Sequence, residues 1–221
     1  MSRREKGPDG GPAPRHWAER FLHIPKGMEA VRMSEYEQPR YTANAIVTLR
    51  AEHAVIREVL GAITRALDEG RSFEDGSFWG DTITFLQTFA DGGHHQKEES
   101  VLFPRLEMRG VARAAGPIGA MLADHDQLRA LLRTMAALHS DLDAHAGSRD
   151  LFERTARQYC QHLALHMARE DGVLFPLAER VLSAEDMHDL LQRFRLLEHE
   201  PGDTHARGRL LALADRIRRA A

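Results

Sequence analysis

One cysteine, Cys160, in a chain of 221 residues has no intrachain partner, so a disulfide framework, a Cys-rich zinc site and a Cys-bound iron–sulfur cluster are all excluded. Aromatic residues are scarce, at 6%. No apolar run approaches the ~20 residues that a membrane span needs. The opening stretch MSRREKGPDGGPAPRHW carries charge but no apolar segment of the kind a secretory signal requires. A large excess of one charge sign is missing too: the net charge of −3 leaves no electrostatic footprint for nucleic acid or a membrane surface. A cytoplasmic protein with one sizeable core is the expectation. Against these absences stand 13 histidines, and their positions carry the argument.

The chain divides by composition. Residues 1–40 begin with a Pro- and Gly-rich stretch and read as a flexible N-terminal arm. From about Tyr41 the apolar residues Ile46, Leu49, Ile56 and Leu60 recur at helical spacing, and this first helix closes near Gly70. Asp75-Gly76 is a loop signal. Further helical runs span about Phe78 to Met108, Ile118 to Ala144 and Asp150 to Leu182. Pro104 and Pro176 fall inside the second and fourth runs and should kink or end them nearby. Ser183 with Asp186 reads as a capping box opening a fifth helix, which ends near Glu200-Pro201-Gly202. An Arg-rich last helix, about Asp203 to Arg219, frays into the C-terminus. No segment alternates with the period of a strand, so the fold is all α.

The four central helices contain a repeat. His53 to His94 and His125 to His166 are both intervals of 41 residues, and Glu98 and Glu170 each follow the second histidine by four. A shift of 72 residues lays Ala51-Glu52-His53, with Arg57 and Leu60, on Ala123-Asp124-His125, with Arg129 and Leu132. The same shift lays Val101-Leu102-Phe103-Pro104 on Val173-Leu174-Phe175-Pro176. A duplicated helical hairpin with short connections predicts an up-down-up-down four-helix bundle over residues 41–182, with residues 183–221 as a C-terminal helical extension.

Residues four apart share a helix face. His94 with Glu98, and His166 with Glu170, therefore aim an imidazole and a carboxylate in one direction. His53 and His125 lie among the apolar positions of their own helices and face inward as well. Two carboxylates in an apolar core cost several kcal/mol per ion unless something compensates them. A metal does so, and imidazole with carboxylate suits iron, manganese or zinc. Glutamates on opposing helices can bridge two ions ~3.5–4 Å apart. No HExxH motif is present, which excludes a zincin. The Glu-x-x-His spacing of ferritin-type centres occurs only at Glu185 and His188, on a peripheral helix.

These residues resemble the hemerythrin-like (HHE cation-binding) proteins. The matching elements are Ala51-Glu52-His53, the His94-His95-Gln96-Lys97-Glu98-Glu99 run leading into Leu-Phe-Pro, Gly116-Pro117-Ile118 ahead of Asp124-His125-Asp126, and His166 to Glu170 ending in Leu-Phe-Pro. The resemblance implies a four-helix bundle with a non-heme centre of two iron ions, bridged by oxo or hydroxo and by two carboxylates, with His53, His94, Glu98, His125, His166 and Glu170 as ligands. Zinc or manganese suits the same donors. The four-His, two-Glu set is closest to the repair-of-iron-centres type and related bacterial HHE proteins, although one cysteine cannot supply the cysteine pair that the repair proteins often carry. The oxygen carriers differ, having two histidines one turn apart on the third helix, where this chain has Arg129 after His125.

Around this set, Glu52 and Asp124 are candidates to orient ligand imidazoles from behind. His95 and Glu99 are candidates for the same supporting layer or for an alternative register, which the Leu-Phe-Pro alignment disfavours. His162 lies one turn before His166, and its repeat mate is Ala90. It is read either as a fifth ligand or as a supporting donor, with the second favoured because a row from His162 to Glu170 spans ~12 Å. His16, His23, His139, His145, His188, His199 and His205 are read as surface residues, and Cys160 as a small buried hydrophobe.

Four histidines and two bridging glutamates leave an open position at each iron, which suits redox turnover. The expected activity is reaction with O₂, H₂O₂ or NO, as peroxide decomposition or O₂ reduction by an oxidoreductase with an unidentified reductant. The alternatives are a non-catalytic O₂ or NO binder or sensor, which needs His162 as the fifth ligand, and an iron store or donor. No nucleic acid or membrane partner is expected.

Overall fold

The computed structural model describes residues 44–70, 76–114, 116–140, 147–198 and 206–221, all helical or connecting, with no strand among them. Residues 41–221 form one compact unit. The reading of residues 1–40 as a flexible arm lies outside the described residues, as do most of the loop around Asp75, the turn at 200–202 and five histidines, at positions 16, 23, 145, 199 and 205.

Helix α1 is Ala45–Glu69. It opens where the Asn44 side chain accepts a hydrogen bond from the Ile46 N–H at 2.9 Å, and it closes on Gly70, whose φ of 67° favours a residue without a Cβ. Helix α2 runs over residues 76–108, α3 is Pro117–Ser140, and α4 runs over residues 148–181. Two C-terminal helices follow, α5 at Ala184–Glu198 and α6 at Ala206–Ala220. The capping box opens α5: the Ser183 N–H donates to Asp186 Oδ2 at 2.9 Å, and the Asp186 N–H donates to Ser183 Oγ at 3.1 Å.

Helices α2 and α4 are not uniform. Glu98–Leu102 and Glu170–Leu174 form wide π turns, in which the N–H groups of Phe103 and Phe175 reach back to the carbonyls of Glu98 and Glu170. Each wide turn precedes a proline that has no N–H to continue the ladder. The helix continues past Pro104 and Pro176 and ends a few residues later, at Met108 and Val181. Helix α2 carries a further π stretch, Leu86–His95.

The core comes in two apolar layers. One contains Ile56, Leu60, Trp79, Leu86, Phe89, Leu128, Phe152 and Leu163, and the other contains Ile46, Leu49, Leu102, Phe103, Met121, Leu174 and Phe175. Each central helix contributes to both, and buried polar residues gather where its two contributions meet. The C-terminal helices seal the layers: α6 buries Leu213, Ala214 and Ile217 in the first, and α5 buries Met187, Leu190 and Phe194 in the second. The last helix therefore does not fray where the Arg-rich sequence led us to expect it, because Ile217 is anchored in the core. His139 also departs from expectation: half-buried, with its ring centroid 6.4 Å from that of Phe152, it packs rather than facing solvent. His188 is exposed.

Candidate metal centre

The polar layer holds His53 from α1, His94 and Glu98 from α2, His125 from α3, and His166 and Glu170 from α4. All six are buried. The imidazoles turn Nε2 toward the two glutamates. Glu170 lies between two histidines, with Oε2 3.1 Å from His53 and Oε1 3.1 Å from His166. Glu98 does the same from the facing helix, with Oε1 3.7 Å from His94 and Oε2 3.4 Å from His125. Two overlapping tetrads result, His53–His94–Glu98–Glu170 and His125–His166–Glu98–Glu170, each with its ligand-type atoms within 4.8 Å of one another. Both oxygens of Glu98 and of Glu170, together with Nε2 of His53 and His94, are buried without a hydrogen-bond partner. A cation held by imidazole and shared carboxylate satisfies such atoms.

Behind each imidazole stands a carboxylate, and behind each carboxylate a cation. Glu52 sits 3.0 Å from His94 Nδ1 and accepts from Lys97 Nζ at 2.5 Å. Asp124 sits 3.5 Å from His166 Nδ1 and accepts from Arg169 Nη1 at 2.5 Å. Glu99 sits 2.7 Å from His125 Nδ1 and accepts from Arg129 Nη2 at 2.5 Å. Asp171 sits 3.2 Å from His53 Nδ1, pinned by Arg57 and Arg50. The 72-residue shift relates all of these: Glu52 to Asp124, Glu99 to Asp171, Lys97 to Arg169 and Arg57 to Arg129. Even the packing repeats, since Phe175 stacks on His53 and Phe103 on His125. The outer carboxylates are thus compensated by Lys or Arg, whereas Glu98 and Glu170 meet histidines and no Lys or Arg among the described residues. Helical spacing alone assigns no role to Asp171, Lys97 or Arg169, although the same offset that reveals the ligand candidates also aligns Asp171 with Glu99 and Arg169 with Lys97.

The family model for the hemerythrin HHE cation-binding domain matches residues 44–178, and a second match spans residues 117–220, beginning on α3, the counterpart of α1. The chain belongs to this family. The HHE protein is also 30% identical over 162 residues to an uncharacterized protein of Mycobacterium bovis and to uncharacterized proteins of two Mycobacterium tuberculosis strains, CDC 1551 and H37Rv. The alignment covers 68% of this chain and 60% of the relatives, so the chain spans less than two thirds of their length. No solved structure matches at a significant level.

Two further histidines of this HHE protein border the tetrads. His162 is partly buried, 3.3 Å from Asp124 Oδ1, and belongs to no ligand cluster. His95 is buried, and one of its ring nitrogens forms a third cluster with one each from His125 and His166. Its Nδ1 lies 3.4 Å from Asp91.

The layer's electrostatics follow from burial and proximity. Burial and the adjacent Glu170 push Glu98 well above the usual carboxylate range. Burial acts on Glu170 in the same sense, but His166 and His53 outweigh it and hold that carboxyl well below its ordinary value. Burial opposes the charge on His166, yet Glu170 and Asp124 raise it to about 9. His94 is lowered by burial to about 4, despite Glu52. Without a cation, the layer therefore favours the protonated form of His166 and shifts Glu98 toward its neutral form.

No helix among the described residues is long and apolar enough to cross a membrane.

Proposed function

We propose that the protein holds two iron ions, one between His53 and His94 and the other between His125 and His166, both sharing Glu98 and Glu170, and that it reacts there with O₂, H₂O₂ or NO. The observation that carries this reading is the division of each buried, unpartnered glutamate between two histidine pairs. Iron in such a pair supplies reversible one-electron chemistry and open coordination positions for small ligands.

The chain's own residues hold and tune the pair. Asp171, Glu52, Glu99 and Asp124 fix each imidazole with Nε2 inward and increase its basicity. The apolar layers on either side, with Phe103 and Phe175 stacked on two of the rings, bury the polar layer away from bulk water. Beside Glu52, on the outer side of the His94 support, lies a cavity of about 330 Å³ lined also by Gly92, Gly93, Lys97 and Arg207.

Peroxide decomposition is the enzymatic form best suited to this site. One H₂O₂ is oxidised to O₂ while another is reduced to water, so no outside reductant is required. A reversible O₂ or NO binder is the second reading, favoured by the third histidine beside His125 and His166. Metal analysis with absorption spectra before and after peroxide tests both. Two irons per chain with rapid O₂ evolution support the enzyme; two irons with a stable, reversible oxygenated spectrum and no O₂ evolution support the binder.

A further inference from the structure

The repeat is nearly complete in this protein, so its one large breach within the polar layer stands out. His95 has Met167 as its counterpart, and Asp91 has Leu163. The backbone departs at the same place. The π stretch Leu86–His95 contains Gly92 and Gly93, whereas the equivalent residues 158–167 are regular α-helix within Ser148–Arg169, with Ala164 and Leu165 at the glycine positions. π turns are rare and concentrate at functional sites. Here the wide turns carry His94 and His95 side by side into the layer. His94 faces His53, at a ring distance of 4.6 Å, and His95 faces His125, at 4.0 Å.

We propose that His95 is a fifth histidine ligand, completing the position held by His125 and His166, so that the two metal positions are unlike. The inference rests on the dinuclear reading above. Three observations carry it. The ligand atoms of His95, His125 and His166 lie within 4.8 Å of one another. His95 Nε2 is buried without a hydrogen-bond partner, like the Nε2 atoms of His53 and His94. Its Nδ1 is backed by Asp91, which in turn accepts from Arg129 Nε at 2.8 Å, the same imidazole–carboxylate–cation arrangement that orients the other four. Arg129 also holds Glu99 behind His125, so one guanidinium sets both rings.

The consequence is a division of labour. Three histidines and two carboxylates leave one position of an octahedron, whereas two histidines and two carboxylates leave two. A small ligand shared between the ions closes the first and leaves the His53–His94 position as the one that can take an external molecule.

The test uses the full chain loaded with ⁵⁷Fe in the diferric state. The Mössbauer spectrum of the unaltered protein should show two quadrupole doublets of equal area. His95→Met installs the residue that the repeat places at 167; the variant should keep two irons, merge the doublets toward one, and release one iron to a chelator at least tenfold more readily. Asp91→Asn keeps the imidazole and removes its support; it should move only one doublet, and it carries the test if His95→Met does not fold. A single doublet in the unaltered protein, or two doublets unmoved by both substitutions, overturns the proposal. Fewer than two irons in the unaltered protein overturns the dinuclear reading itself, and the fifth ligand with it.

Discussion

Oε2 of Glu170 lies 3.1 Å from Nε2 of His53, on the helix at the other end of the bundle's chain order, while its other oxygen stays 3.1 Å from His166 on its own helix. One carboxylate thus joins the two hairpins across the buried layer. Because it is shared, replacing it damages both positions at once. Glu170→Gln keeps the shape and removes the charge, and should lower the iron content by at least one ion per chain in metal analysis, with helicity by circular dichroism unchanged.

Glu98 gives the complementary case. In the metal-free protein, burial and Glu170 favour its protonated form, which a carboxamide imitates. Glu98→Gln should therefore melt no lower than the unaltered protein when both are stripped of metal. When both are loaded, it should melt lower. For a ligand at 100 times its dissociation constant the gain is ~2.7 kcal/mol, or about 5–10 °C in a domain of this size. Calorimetry of the four samples measures the crossover, and a lower melting point for the stripped variant would argue against the protonated form of Glu98 in the metal-free layer.

The pH dependence has opposite signs in the two states. His166 rises from 6.5 to about 9 in the metal-free fold. Its contribution to stability is then fully present below pH ~6.5 and is lost as the pH rises through about 9. Metal must displace that proton, so iron affinity should keep climbing past the ordinary histidine range toward pH 9. Competition with a chelator at several pH values, paired with melting of the stripped protein, checks both slopes. Affinity that levels off near pH 6.5 would contradict the raised His166.

The supporting carboxylates should matter nearly as much as the ligands. Asp171→Asn removes the acceptor behind His53 while leaving Arg50 and Arg57 in place, and should weaken metal binding ~10–100-fold. His162→Ala, by contrast, alters a residue outside every ligand cluster and should retain both ions.

Much of this was legible in the sequence because a duplicated hairpin repeats its spacing. The intervals from His53 to His94 and from His125 to His166, with a glutamate four residues on, marked the six residues that meet in the layer. Helical periodicity placed all the central helices, and Ser183 with Asp186 placed the start of α5. What periodicity could not convey was the place of His95. On a regular helix, the residue after His94 points about 100° away, and only the π stretch Leu86–His95 turns it into the layer. His162, singled out for its spacing to His166, sits on regular helix and stays outside, against Asp124. The support by Asp171 was hidden differently, and Glu99, a candidate support in the sequence, had no partner histidine assigned to it. Each follows a glutamate of the layer and holds a histidine on a different helix, a pairing that local spacing does not reveal.

The dinuclear centre is tested most directly by the iron content of the full chain, reconstituted anaerobically with excess ferrous ion and freed of loosely held metal. Two irons per chain, falling by at least one in Glu170→Gln, is the expected result. One iron or none per chain in the unaltered protein would contradict it.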